Sequence, residues 1–126
     1  MLPNYSAWIT DFMDSWKTLD GIKTTKLFSK DVQYYETPDG NPCATWEDIL
    51  ELWKAVSNNQ KDISYSFEIL CSNRAVCIIN WKMERIFISE TEQSKQKVDG
   101  IFQISLDKKG KCNFFKQWRY VVIARI

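Results

Sequence analysis

Apolar side chains recur every three or four residues at the start of the chain. Tyr5, Trp8, Ile9, Phe12, Met13, Trp16 and Leu19 share one stripe while Asp11, Asp14 and Lys17 fall opposite, which predicts an amphipathic helix over 5–19. Asp20-Gly21 closes it, and residues 22–28 fit a further short helical segment. Residues 32–37 are β-branched and aromatic and run into Pro38-Asp39-Gly40-Asn41-Pro42, the pattern of a short strand and a turn. Thr45-Trp46-Glu47-Asp48 is a capping-box-like start, after which Trp46, Ile49, Leu50, Trp53 and Val56 keep helical spacing until Ser57-Asn58-Asn59.

From Asp62 onward the period changes to two. Ile63, Tyr65, Phe67 and Ile69 alternate with polar residues, a Ser72-Asn73-Arg74 turn follows, and Cys77, Ile79, Trp81 and Met83 alternate again. Residues 90–96 are polar and read as a loop. Residues 98–106 and 112–122 predict a second hairpin around Asp107-Lys108-Lys109-Gly110, with Gly110 suited to a left-handed turn position. Helices first and long strands afterwards make an α+β domain spanning 1–126, one strongly curved antiparallel sheet wrapping the N-terminal helices.

Composition narrows the chemistry. The 126 residues carry 17 Lys+Arg against 16 Asp+Glu, a net charge of +1, which gives no electrostatic reason to expect nucleic acid or an anionic membrane as partner. No stretch approaches the roughly 20 apolar residues of a membrane span. There is no histidine, which excludes Ser-His-Asp and Cys-His nucleophile systems and histidine-based metal sites. Cys43, Cys71, Cys77 and Cys112 form no C-x-x-C pair, so they read as reduced thiols, and nothing asks for a metal or cofactor. The first residues lack an export signal, and a cytoplasmic protein is expected. Against this plain background, 6 Trp, 5 Tyr and 7 Phe stand out as evidence of a very aromatic core or a ring-lined pocket.

Several runs in order carry a resemblance: Trp16 with Asp20, residues 27–38 (Leu-Phe-Ser-Lys-Asp-Val-Gln-Tyr-Tyr-Glu-Thr-Pro), Asp99-Gly100-Ile101-Phe102 leading to residues 107–111, and Lys116-Gln117-Trp118. The chain resembles the nuclear transport factor 2-like superfamily, in its SnoaL-like branch, along essentially its whole length. That resemblance implies a cone-shaped α+β barrel, a fold that hosts isomerases, dehydratases, hydrolases and binding modules alike. For the ketosteroid isomerases it implies a base where this chain has Thr37 and oxyanion donors where it has Phe12 and Phe102. Neither ring can donate a hydrogen bond and a threonine hydroxyl is no base at neutral pH, so that chemistry is disfavoured.

The same alignment sets strand parity. It implies a concave face carrying Tyr35, Thr37, Gly100, Phe102, Ile104, Leu106, Phe115, Gln117 and Arg119, with the strand carboxylates Glu36, Glu68, Glu84 and Asp99 turned outward. Hydrophobic alternation adds Tyr65, Phe67, Cys77, Ile79, Trp81 and Met83 to the concave side. The ligand-binding candidates are therefore Phe12, Tyr35, Thr37, Trp53, Tyr65, Trp81, Phe102, Gln117 and Arg119. Arg119 would receive a ligand carboxylate or phosphate, or else pair with an acidic side chain at the rim. Gln117 would bond a ligand carbonyl, or close an internal bond to Tyr35 or Thr37.

Val76, Ile78, Phe114, Trp118 and Tyr120 are outward by parity yet apolar, which predicts a homodimer interface. The run 123–126 or the first helix offers an alternative cover. The leading expectation is a binder of a small apolar or aromatic molecule, with or without an acidic group. The alternatives are an enzyme of lyase, isomerase or hydrolase type using Tyr35, Gln117, Arg119 or an inward Glu36, and a protein-interaction module using the outer sheet face.

Overall fold

The computed structural model of the protein describes residues 2–125; Met1 and Ile126, the ends of the expected domain and of its C-terminal run, lie outside them. Asn4 caps the first helix, α1 (Tyr5–Lys17), by accepting a hydrogen bond from the Ala7 amide at 3.1 Å. Its apolar stripe is buried as the spacing predicts. The helix does not end on the glycine. Leu19 takes the left-handed conformation (φ 57°), and Asp20 then caps α2 (Gly21–Thr25) by accepting from the Lys23 amide. A buried hydroxyl pair, Ser15 and Thr24 at 2.8 Å, ties the two helices together.

The first strand, β1 (Phe28–Tyr35), begins four residues earlier than the sequence pattern suggests and absorbs the end of the expected short helix. Thr45 caps α3 (Trp46–Asn59) through the Asp48 amide at 3.1 Å. Four long strands follow: β2 (Gln60–Ser72), β3 (Cys77–Ile88), β4 (Gln93–Leu106) and β5 (Cys112–Arg125). Much of the polar stretch 90–96 is therefore strand, leaving only residues 89–92 to turn the chain. The final turn uses Gly110 at φ +79°, a conformation that favours glycine, and Asp107 Oδ1 accepts from the amides of Lys109 and Lys111.

The five strands form one sheet in the order β1-β5-β4-β3-β2. All neighbours are antiparallel except β1 and β5, which are parallel. The helices lie in the concave face. Among the described residues, no helix is long and apolar enough to cross a membrane.

Candidate functional site

Rings fill the deep part of the cone. Phe12 sits at their centre, 5.2 Å from Trp8 and Phe115 and 5.6 Å from Phe102 between centroids. Trp81 stacks on Phe102 at 4.8 Å and Tyr34 on Phe115 at 4.6 Å, nearly parallel in both pairs. Phe12, Trp81 and Phe102 are essentially inaccessible. These candidates are packed core, not the walls of an open space.

The parity implied for β1 is off by one residue. Val32 and Tyr34 point inward, so Tyr35 lies on the outer face against Phe114. Two adjacent tyrosines hide this shift, but Val32 sets the row 32, 34, 36 by simple alternation. Glu36 therefore turns inward, contrary to the outward expectation, and lines the cavity described below. Thr37 falls in the exposed turn after the strand, its carbonyl accepting from Gly40. Tyr65 is on the concave side as expected, but its hydroxyl donates to Asp14 of α1 and the residue stands away from the cone's open end.

An unfilled space of about 310 Å³ remains at that open end. Its apolar walls are Trp16 of α1, Leu52, Trp53 and Val56 of α3, and Phe87 of β3. Its polar groups are Tyr34, Glu36, Asn59, Gln60, Arg85, Gln117 and Arg119. Of the ligand-binding candidates, Trp53, Gln117 and Arg119 line this cavity.

Glu36 is the hub of one side. Tyr34 donates to its Oε2 at 3.1 Å, while Arg119 Nη1 at 2.7 Å and Gln117 Nε2 at 3.2 Å reach its Oε1. Gln117, almost fully buried, also donates to the Glu36 carbonyl. Arg119 thus takes the rim-pairing role, and Gln117 makes its internal bond to Glu36 rather than to Tyr35 or Thr37. Burial, then the Glu36 charge, holds the Tyr34 phenol well above its usual value, with the Trp53 indole opposing. The Trp53 N–H nevertheless lacks hydrogen-bond geometry to any partner, as does Asn59 Oδ1.

Arg85 was not legible as a site residue. It continues the inward row of Cys77, Ile79, Trp81 and Met83, and its guanidinium lies 5.6 Å from the Phe87 ring centroid. Its Nε and Nη2 donate to Gln96 Oε1 at 3.0 and 2.8 Å. Burial, and then the like charge of Arg119, lower its pKa to about 10, with Glu36 opposing. Among the described residues no three Cys, Asp or Glu side chains converge as a metal site would require.

No family model and no curated sequence matches the chain. Solved structures do. A Delta 5-3-ketosteroid isomerase from Mycobacterium superposes with a TM-score of 0.77 over 98% of this chain and 100% of its own, at 13% identity. The fold is the nuclear transport factor 2-like cone. A protein from Shewanella denitrificans classed among SnoaL-like polyketide cyclases shares this cone at a TM-score of 0.77, covering 91% and 89% of the two chains at 6% identity. A computationally designed 17-OHP binder does so at 0.74, covering 96% and 97% at 12% identity. At such identities the nuclear transport factor 2-like likeness is one of fold.

Proposed function

We propose that the protein binds a small, largely apolar molecule in the cavity at the mouth of the cone. The observation that carries this reading is the end of the aromatic packing. Rings close the deep cone completely, yet about 310 Å³ stays open between α3 and the sheet, within the range of small-molecule sites. A designed protein of the same fold is described as a 17-OHP binder, which supports the reading.

Glu36 reaches the cavity, as an enzymatic alternative requires. Its two oxygens, however, are taken by Tyr34, Gln117 and Arg119, so taking a substrate proton would mean displacing these donors. Binding is therefore preferred over catalysis. A cytoplasmic setting goes with this reading, because all four cysteines are free thiols.

A panel of planar aromatic, steroid-like and acyl compounds tests the proposal by thermal shift. Some members should raise the melting temperature of the wild type, and Val56→Trp, which intrudes into the cavity from α3, should weaken that shift while leaving the unliganded melting temperature within a few degrees. No response from the wild type, or a full response from Val56→Trp, would overturn it.

The outer face supports a second proposal, a two-fold dimer. Val76, Ile78 and Phe114 are half-buried there, and Trp118 and Tyr120 are 37% and 71% exposed. Ile78 lies in the outward row of β3, and Phe114, Trp118 and Tyr120 in that of β5, with β4 between them and Val76 in the turn before β3.

A further inference from the structure

We infer that the molecule held in the cone mouth is a small aromatic or branched carboxylic acid, and that Arg85 receives its carboxylate. This rests on the binding function proposed above and names its ligand class.

Arg85 and Arg119 face the same cavity as Glu36. Glu36 is already paired with Arg119 at 2.7 Å. Among the described residues Arg85 has no acidic partner within ion-pair distance; its hydrogen bonds go to the neutral Gln96 oxygen. The cavity's charged groups thus sum to a single unmatched positive charge, on a half-buried guanidinium. A half-buried cation needs compensation, and the lowered Arg85 pKa is the same fact expressed as proton affinity.

Geometry selects the anion. Two of the five guanidinium N–H donors are engaged by Gln96, and those left over suit the paired oxygens of a carboxylate. Phe87 and Gln96 hold the guanidinium from below and from its edge, so little side-chain freedom is lost on binding. A carboxylate matches the surplus charge, whereas a phosphate dianion would carry one negative charge too many into walls formed by Trp16, Leu52, Trp53 and Val56. The volume, near the lower end for ligand pockets, limits the body to a ring system or a short branched chain.

The test uses matched probes by isothermal titration: 2-naphthoate, 3-phenylpropionate and 4-methylpentanoate, each against its primary amide, with 2-naphthyl phosphate as the dianion. At least one acid should bind the wild type tenfold or more tighter than its amide and tighter than the phosphate. Arg85→Gln, which keeps hydrogen-bonding capacity without charge, should lose that preference, and Arg85→Lys should keep part of it. Circular dichroism and melting temperature check that both variants fold. If acids and amides bind the wild type alike, if the phosphate binds tightest, or if the preference survives in folded Arg85→Gln, the carboxylate assignment falls while the binding function stands. If none of these probes, nor any compound of the wider thermal-shift panel, binds the wild type, both fall together. Should Arg85→Gln not fold, Arg85→Lys decides: affinity and acid preference unchanged from wild type would overturn the bidentate role.

Discussion

A Cβ at position 100 would fall inside van der Waals contact of the Trp118 carbonyl oxygen and lie 2.6 Å from Trp81 Nε1. Gly100 faces Trp81 directly across β3 and β4, so the missing side chain is what lets the indole lie flat beneath Phe102. Neither neighbour can yield, one being backbone and the other locked in a ring stack. Gly100→Ala should cost about 3 kcal/mol by overpacking, read as a lower urea midpoint with an unchanged slope. The resemblance already put Gly100 on the concave side, and the structure supplies the reason. Tyr34 and Glu36 show the opposite case. The alternation from Val32 points to them, but the alignment through Leu27-Phe28 moved the row by one residue and put Tyr35 and Thr37 in their place. A strand of eight residues with irregular pairing to its neighbour offers too few inward positions to correct such a shift.

Among the elements, α1 and β2 are joined at the edge of the sheet by the Trp16 indole, which donates to Gln60 Oε1 at 3.0 Å, and by the Tyr65 hydroxyl, which donates to Asp14. Partial burial first, then the Asp14 carboxylate, push the Tyr65 phenol up to about 12. The folded state therefore favours the neutral phenol. The resulting stabilisation is fully present below the ordinary value near 10 and is lost as pH rises through about 12. Tyr65→Phe should lower stability by about 1 kcal/mol at neutral pH, solvent access keeping the figure at the low end for a bond to a charged group. The difference from wild type, measured by urea unfolding, should stay level from neutral pH to the tyrosine range and then shrink. A difference that grows above pH 10 would contradict the tie. The inward rows of β4 and β5 came from the resemblance, and those of β2 and β3 from alternation wherever they are apolar. Alternation faded towards the cone mouth, where inward positions are Arg85, Ser94, Gln96, Gln117 and Arg119. The cavity was hard to read for the reason that makes it chemically interesting: polar inward residues break the pattern by which strands are recognised.

For the whole molecule, the abundance of aromatic residues left two readings open, an aromatic core and a ring-lined pocket, and the structure divides them by depth. The deep cone is core; the mouth keeps the space and the charges. The outer face raises the remaining question of what covers its rings. Lys116 lies over both Tyr35 and Trp118, 5.4 and 5.2 Å from their centroids, so part of that surface is already shielded within the chain by a lysine stem. Tyr120 and Val122, farther along β5, have no such cover and stay largely exposed. A symmetric interface across these strands would bury several large side chains, each contributing on the order of 1.5–3 kcal/mol by area before the cost of association is subtracted. Trp118→Glu would place an unpaired charge at the centre of that face, next to Ile101 on the neighbouring strand. Sedimentation equilibrium should then show a dimeric wild type and a monomeric Trp118→Glu, both with unchanged circular dichroism. A wild type that remains monomeric at high micromolar concentration would mean that Lys116 and the mixed charges of Lys82, Glu84, Lys97 and Asp99 on the same face suffice to keep it in water.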